Sequence, residues 1–577
     1  MSAEGKTVKP GDAARGAIPV SRIAVCFWLI FFVAAGLYIR MQEPFYSYPY
    51  NNDESILMGI VNASSFKELM HFALYDSHPP LFYILAHYWS AISANPHFVR
   101  CLQLIMGITL IPLYYLIGKC INGRLCGLCC AALVTFSFGA IIQSYVMRQY
   151  CVLLLSLSLN FYCYLNWRRS RKRSALLGYV ITGWLVALSH FFSDFYFFCI
   201  VSYETIALFC MRSAIGRRKL VEWVLANLAI GIMVAFLYYF WQPTLSFYRA
   251  EYPRQLVTAL SAPFYAASYI YPAPIPLLPI LFLYACLPAF ASETRIRLRP
   301  HLILGGTACL ISMAIYSCGI FEWLGTRHCL WMFPLLIPAA GGMLADILER
   351  RTASVGYFPK TAVAGLIFLS AVCDTGRRFT DEDYTGWQRG TVQEVTRIAD
   401  GFGPGDVLIT DKDGLNILST MQPYKTDEAF MNTKVPVLAP YKNTHFLLNS
   451  DYFGIYSPFA VRRMIKEANA HHLLDNIDRL VFVKFWNKWP FYSLVACDAL
   501  QKQIVYPPPS SSDRTSFTGE FAIMTVSKQV FFDEVLSPSG KARACLDQNQ
   551  DTIPEWYYIP RTAKHDSRFK WDPTRKD

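Results

Sequence analysis

Eleven apolar stretches, each close to the roughly 20 residues a helix needs to cross a hydrocarbon core, constrain this chain more than any other feature. They run over residues 22–41, 100–118, 125–145, 150–167, 174–192, 195–211, 221–241, 272–291, 301–321, 329–347 and 358–374. Of the 577 residues 54% are hydrophobic and only 16% charged, against about 25% charged in a soluble domain. The sequence reads as an α-helical polytopic membrane protein. Its net charge of +12 does not point to nucleic acid, because Lys and Arg come in short bursts between apolar runs and not on one basic face.

Those bursts orient the chain. Residues 1–21 are polar, carry Lys6, Lys9 and Arg15, and are followed by no small-residue cleavage site, which predicts an uncleaved anchor. Leu81 to Ala94, between Pro80 and Pro96, spans only about 14 residues and suits an interfacial helix better than a crossing. Read so, Lys119/Arg124, the run RRSRKR (168–173), Arg217-Arg218-Lys219, RIRLR (295–299) and Arg350-Arg351 all fall on the side of the N-terminus, as the positive-inside rule requires. The expected organisation is a cytoplasmic tail (1–21), a transmembrane catalytic domain (22–375) with a large first outer loop (42–99), and an extracytoplasmic α/β domain (376–577). In the last, GDVLITDKDG (405–414) and IDRLVFVKF (477–485) read as strands bounded by turn residues.

On this topology several ionisable and polar residues gather at the outer surface: Asp53-Glu54 after the first span, Asp76 and His78 in DSHPPL, Gln143 and Arg148 in QSYVMRQY, His190 and Asp194 in SHFFSDF, and Thr326, Arg327 and His328. Ionisable groups at membrane depth are costly and usually functional. Each taken singly also fits a plainer role: Asp53-Glu54 as an acidic turn capping a helix, Arg148 and Arg327 as side chains anchoring span ends. Pro79-Pro80 predicts a helix start directly after His78.

The stretches NNDES, DSHPPLFYILAHYW with FVRCLQLIMGITLIPLYYLIGK, QSYVMRQYCVLLLSLSL, SHFFSDF and TRHCLWMFPLLIPAAGG together resemble, in order, the motifs of the GT-C membrane glycosyltransferases related to protein O-mannosyltransferases and the lipid A aminoarabinose transferase. The chain departs from that pattern at Val146, where the family carries an acid, and at His190-Phe191, where it often shows His-Tyr. The resemblance implies an inverting glycosyltransferase that takes a sugar from a polyprenyl-phosphate carrier at the outer membrane face and passes it to a glycan, lipid or protein acceptor. It implies Asp53 as general base, with Glu54 orienting the acceptor or holding a metal.

Guanidinium forks match phosphate oxygens, so Arg148 and Arg327, with His78 and His328, are the expected donor-phosphate ligands. Asp76 and His190 are expected to support them. A divalent cation held by Glu54, Asp76 and His78 is a further expectation. The aromatic, proline-rich segment 246–276, with Arg249 and Arg254, fits either a lid over the donor or an interfacial belt.

No phosphate-binding loop or dinucleotide fingerprint is present, which disfavours a nucleotide-driven pump or a nucleotide-sugar donor. A transporter or flippase of lipid-linked sugars, or a membrane scaffold without catalysis, remains as the alternative. Cys126, Cys129 and Cys130 read as packing residues on an apolar helix, and Cys497 and Cys545 as the one cysteine pair of the C-terminal region. The inner membrane of a bacterium is the expected location, with membrane lipids as partners.

Overall fold

Ser21 opens the first long helix: its hydroxyl accepts the Ala24 N–H at 3.1 Å, satisfying one of the donors that a helix start leaves without a partner. The computed structural model describes residues 21–41, most of 52–210, 214–251, 293–317, 327–349, 402–410, 437–441, 444–448, 458–484, 504–505 and 522–537. The expected spans at 272–291 and 358–374, the segment 252–276 and Cys497 and Cys545 lie outside these residues. The chain divides into two compact units, one of residues 1–45, 77–82 and 100–378, the other of residues 46–76, 83–99 and 379–577.

The first unit is helical. Its elements are α1 (Arg22–Arg40), α5 (Pro96–Thr135), α6 (Phe138–Gln143), α7 (Tyr150–Ser170), α8 (Arg173–Ala187), α9 (Ser193–Phe209), α10 (Ala214–Glu251), α11 (Glu293–Ser317) and α12 (Phe333–Glu349). A 3₁₀ turn at Arg327–Met332 leads into α12; α2 (Asn52–Val61), α3 (Phe66–Ala73) and most of α4 (Leu81–Ser90), between α1 and α5 in sequence, belong to the second unit. Among the described residues five helices are long and apolar enough to cross a membrane; this is a membrane protein.

α5 is broken at Asn122 and Gly123, the latter at φ +82°, between the stretches 100–118 and 125–145 read as separate spans. Gly118 and Gly127 let the two halves close on one another. A methyl group on Gly118 would meet the Cys126 carbonyl oxygen at 2.6 Å and Gly127 Cα at 2.8 Å, and one on Gly127 would meet the Tyr115 carbonyl oxygen at 2.6 Å. Small residues serve here as they do in membrane bundles generally, allowing backbones to approach. Cys126 and Cys130 are buried in this core and Cys130 abuts Gly341 of α12, which fits the packing role expected for them.

Polar side chains stitch the neighbouring helices. Asn160 on α7 donates to the Tyr179 carbonyl on α8 at 2.7 Å and accepts the Tyr196 hydroxyl of α9 at 2.8 Å. At the far end of α7 the basic run is partly neutralised. Glu204, wholly buried, bonds Arg171 at 2.8 Å, lies 3.3 Å from Arg168 and accepts the Tyr164 hydroxyl at 2.9 Å. A carboxylate this deep is tolerable only with such partners.

The second unit contains a six-stranded sheet in the order β2-β3-β1-β4-β6-β5. Its strands are β1 (Asp406–Thr410), β2 (Val437–Tyr441), β3 (Thr444–Leu448), β4 (Arg479–Lys484), β5 (Ile504–Val505) and β6 (Ala522–Ser527). β1 runs parallel to both β3 and β4, and the connection from β3 to β4 carries helix α13 (Pro458–Ala470), as parallel pairing demands. Met464, Ile465 and Ala468 of that helix pack on Val407, Ile409, Leu480 and Phe482. Pro440 sits in β2, an edge strand, where its missing N–H disrupts no ladder. Asp406 and Arg479 face each other in register and form a two-pronged pair at 2.6 and 2.7 Å.

The close crossing of the α5 halves is testable. Gly118→Val places methyl groups against main chain on the partner half and is expected to cost about 1–3 kcal/mol, seen as a lowered melting temperature of the detergent-purified protein. Gly231→Ala, with nothing within 4 Å of the new methyl, is expected to leave melting unchanged or raise it slightly. Equal effects at the two positions would contradict the packing described.

Candidate active site

The second half of α5 ends at Thr135, ten residues short of the expected span end. The chain from Phe136 to Tyr150 then runs as the short α6 and irregular backbone, and all but Val146 and Phe138 of its residues are buried. Backbone that leaves the helix inside an apolar unit must find partners for its polar groups. Arg40, at the last turn of α1 and only 1% exposed, supplies several of them. Its guanidinium donates to the Thr135 carbonyl at 3.1 Å, to Val134 at 3.2 Å, to Gly36 at 3.2 Å and to Ser144 Oγ at 3.0 Å. The carbonyls that close a helix have no intrahelical partner, so Arg40 caps the broken end of α5 and pins the segment beyond it.

That segment carries Arg148. Gln103, on the first half of α5, donates its Nε2 to the Arg148 carbonyl at 2.7 Å and accepts the Cys151 thiol at its own carbonyl, so the Arg148 main chain is held from the side. Arg148 itself is buried, and the next helix, α7, begins two residues later at Tyr150.

Around the Tyr150 ring three histidines from distant parts of the sequence come together. His78 and His190 lie 4.9 Å apart between ring centroids, edge to face. Tyr150 is 5.3 Å from His190, 6.0 Å from His328 and 6.3 Å from His78. Phe192 stacks on His190 at 4.6 Å and meets His328 edge-on at 5.2 Å.

Local structure fixes two of the three. Pro79-Pro80 do precede the helix start at Leu81, and the Leu81 N–H donates to the Leu188 carbonyl just beyond α8 at 3.0 Å. The loop bearing His78 is thereby bonded to the turn bearing His190. Within that turn the Phe192 N–H donates to His190 Nδ1 at 3.1 Å, so the neutral ring carries its proton on Nε2 and presents a donor there. The cluster offers imidazole N–H groups, and the buried Arg148 stands two residues before Tyr150 in the chain; imidazole and guanidinium donors both suit an oxyanion such as phosphate.

The other expected residues fall as follows. Asp53 and Glu54 lie in the first turn of α2, where carboxylates are favoured by the helix dipole; Glu54 is buried, and the side chain of Asp53 lies outside the described residues, as does that of Arg327. Asp76 is buried and accepts the Tyr83 hydroxyl. Asp194 accepts the Tyr238 hydroxyl at 2.9 Å. Among the described residues no group of three or more His, Cys, Asp or Glu side chains is arranged to hold a metal ion. Glu54, Asp76 and His78 form no such group.

Sequence reasoning missed Arg40, Gln103 and Tyr150. Arg40 stands where any span-ending cation stands, and nothing in the sequence marks its partners. Tyr150 had a signal, since it lies within the stretch that resembles the family motif.

No protein-family model matches this sequence, and no curated protein is similar to it by sequence. Solved structures are similar in fold. The apo crystal structure of ArnT from Cupriavidus metallidurans aligns with a TM-score of 0.51 at 12% identity, over 87% of this chain and 98% of that one. The same protein bound to undecaprenyl phosphate aligns at 0.46 and 12%, over 86% and 98%. The archaeal oligosaccharyltransferase AglB from Archaeoglobus fulgidus, in complex with an inhibitory peptide and a dolichol-phosphate, aligns at 0.43 and 11%, over 89% and 77%.

The role of Arg40 is open to test. Arg40→Met removes every hydrogen bond of the guanidinium and leaves the Val134 and Thr135 carbonyls buried without those partners, at about 1–3 kcal/mol for each group so left. Melting temperature is expected to fall clearly, whereas Arg22→Met at the exposed start of the same helix is expected to change it little. Similar melting of both variants would mean that the segment is held by other means. The fold of this chain is similar to that of ArnT from Cupriavidus metallidurans.

Proposed function

We propose that the protein is an inverting glycosyltransferase that moves a sugar from a polyprenyl-phosphate carrier to a hydroxyl of a cell-envelope glycan, lipid or protein. The observation that carries this reading is the convergence of His78, His190 and His328 on Tyr150, two residues from the buried Arg148, within a GT-C fold. A lipid phosphate is the substrate group that such a set recognises best. The undecaprenyl phosphate bound by ArnT, a protein of similar fold, supports the same choice of donor.

In the reaction the acceptor oxygen attacks the anomeric carbon and forms the new glycosidic bond as the bond from that carbon to the phosphate oxygen breaks. The electron pair leaves with the polyprenyl phosphate, whose growing charge Arg148 stabilises with the imidazole N–H groups and Arg327. The acceptor proton passes to Asp53, assigned as base from its place in NNDES, with Glu54 orienting the acceptor. The reaction face is assigned to the extracytoplasmic side of the membrane, most simply a bacterial inner membrane, by the distribution of Lys and Arg, with residues 376–577 on that same side.

Asp53→Asn separates base from helix cap, because Asn caps as well as Asp but accepts no proton. Transfer of radiolabelled sugar from polyprenyl-phosphate donors by the purified variant is expected to fall by at least about a hundredfold, with insertion and lipid-phosphate binding retained. Near-native transfer by both Asp53→Asn and Glu54→Gln would contradict the assignment of this loop to catalysis.

A further inference from the structure

One buried group beside the phosphate-binding set is left without a role by this mechanism. Gln149, between Arg148 and Tyr150, is wholly buried, and both its Nε2 and its Oε1 are without a hydrogen-bond partner among the described residues. It occupies the N-cap position of α7 yet makes no side-chain cap bond. At the same peptide the Gln103 carboxamide, also wholly buried, spends its Nε2 on the Arg148 carbonyl while its Oε1 is likewise without a partner among the described residues. Buried polar atoms in native proteins are nearly always bonded, and an apolar residue of the same volume would serve packing better. Met147, Cys151, Val152 and Leu153, next to Gln149 in the chain, are all apolar and buried, so two carboxamides stand out here for a chemical reason.

The unsatisfied atoms identify what they suit. They comprise an N–H₂ donor and two carbonyl acceptors. A phosphate diester oxygen accepts only, and two carbonyl oxygens would repel it. A sugar hydroxyl donates and accepts at one atom, and a pair of neighbouring hydroxyls engages a carboxamide through both its oxygen and its nitrogen. We infer that Gln149, assisted by Gln103 Oε1, recognises the hydroxyl groups of the sugar on the lipid-linked donor and sets which sugar is accepted. This rests on the reading of the site as a lipid-phosphate-sugar site and adds to it a residue for sugar selection, distinct from the groups that hold the phosphate. Sites that hydrogen-bond a substrate hydroxyl discriminate strongly, because a wrong substrate leaves their buried polar groups unpaired.

The test compares full-length wild type with Gln149→Met, an isosteric change that removes donor and acceptor together. Binding of bare undecaprenyl phosphate is measured beside binding of undecaprenyl-phosphate arabinose, mannose and glucose, and the melting temperature of the ligand-free proteins is recorded. The expected result is that the variant binds the bare lipid as wild type does, loses at least about tenfold in affinity for the sugar-bearing lipid that wild type prefers, and melts at the same temperature or higher. A melting temperature that falls with equal loss of all lipids would make the carboxamide structural and overturn the inference, as would unchanged preference among the sugars. Those results leave the phosphate reading standing if wild type binds the bare lipid. If wild type binds none of the four lipids, the reading of the site fails and the sugar assignment fails with it.

Discussion

A guanidinium that closes a helix inside an apolar unit is the constraint on which the rest of the site depends. The second half of α5 stops at Thr135 although the residues after it, FSFGAIIQSYVM, are apolar enough to continue. Main chain that breaks off there exposes carbonyls to a medium with no water to satisfy them. Arg40 meets that demand from the neighbouring helix, and another of its bonds reaches Ser144, four residues before Arg148. Gly107 makes room for Ser144: a methyl group there would meet Ser144 Oγ at 2.0 Å. An irregular segment is thus held as firmly as a helix while its side chains remain available for chemistry.

The consequence is a set of donors fixed before any ligand arrives. The Arg148 main chain is held by Gln103, the His78 loop by the Leu81 bond to Leu188, and the His190 ring by the Phe192 N–H. Groups oriented in advance stabilise a developing charge without reorganising when the reaction occurs. The same economy explains why the two proline residues sit against an apolar helix: they stop the chain from being helical through His78, so that its ring turns toward His190 and Tyr150.

Much of this was legible in the sequence, for identifiable reasons. Spanning helices announce themselves because lipid-facing and core-facing positions are alike apolar, and α1, α7, α9 and α12 begin within a few residues of the stretches read for them. β1 and β4 were legible from short branched runs, the first set between Gly405 and Asp411 and the second following Asp478. β2, with its internal proline, was not, since its edge position is a tertiary fact. The break after Thr135 escaped because the segment keeps its hydrophobicity, which is the only quantity that a span count uses. His78, His190 and His328 were each noted as ionisable residues of one membrane face; that they meet on one tyrosine is decided by helix packing, and no local pattern encodes it.

The central claim is that the histidines around Tyr150 receive a lipid phosphate. It is tested most directly by NMR of the purified protein with its histidines labelled with ¹⁵N, titrated with undecaprenyl phosphate in detergent and with undecaprenol as the uncharged control. The account predicts that the ring signals of His78, His190 and His328, assigned by single His→Gln variants, shift together and saturably with the phosphate and not with the alcohol, while that of exposed His472 stays in place. Shifts confined to other histidines, or the same shifts with undecaprenol, would contradict it.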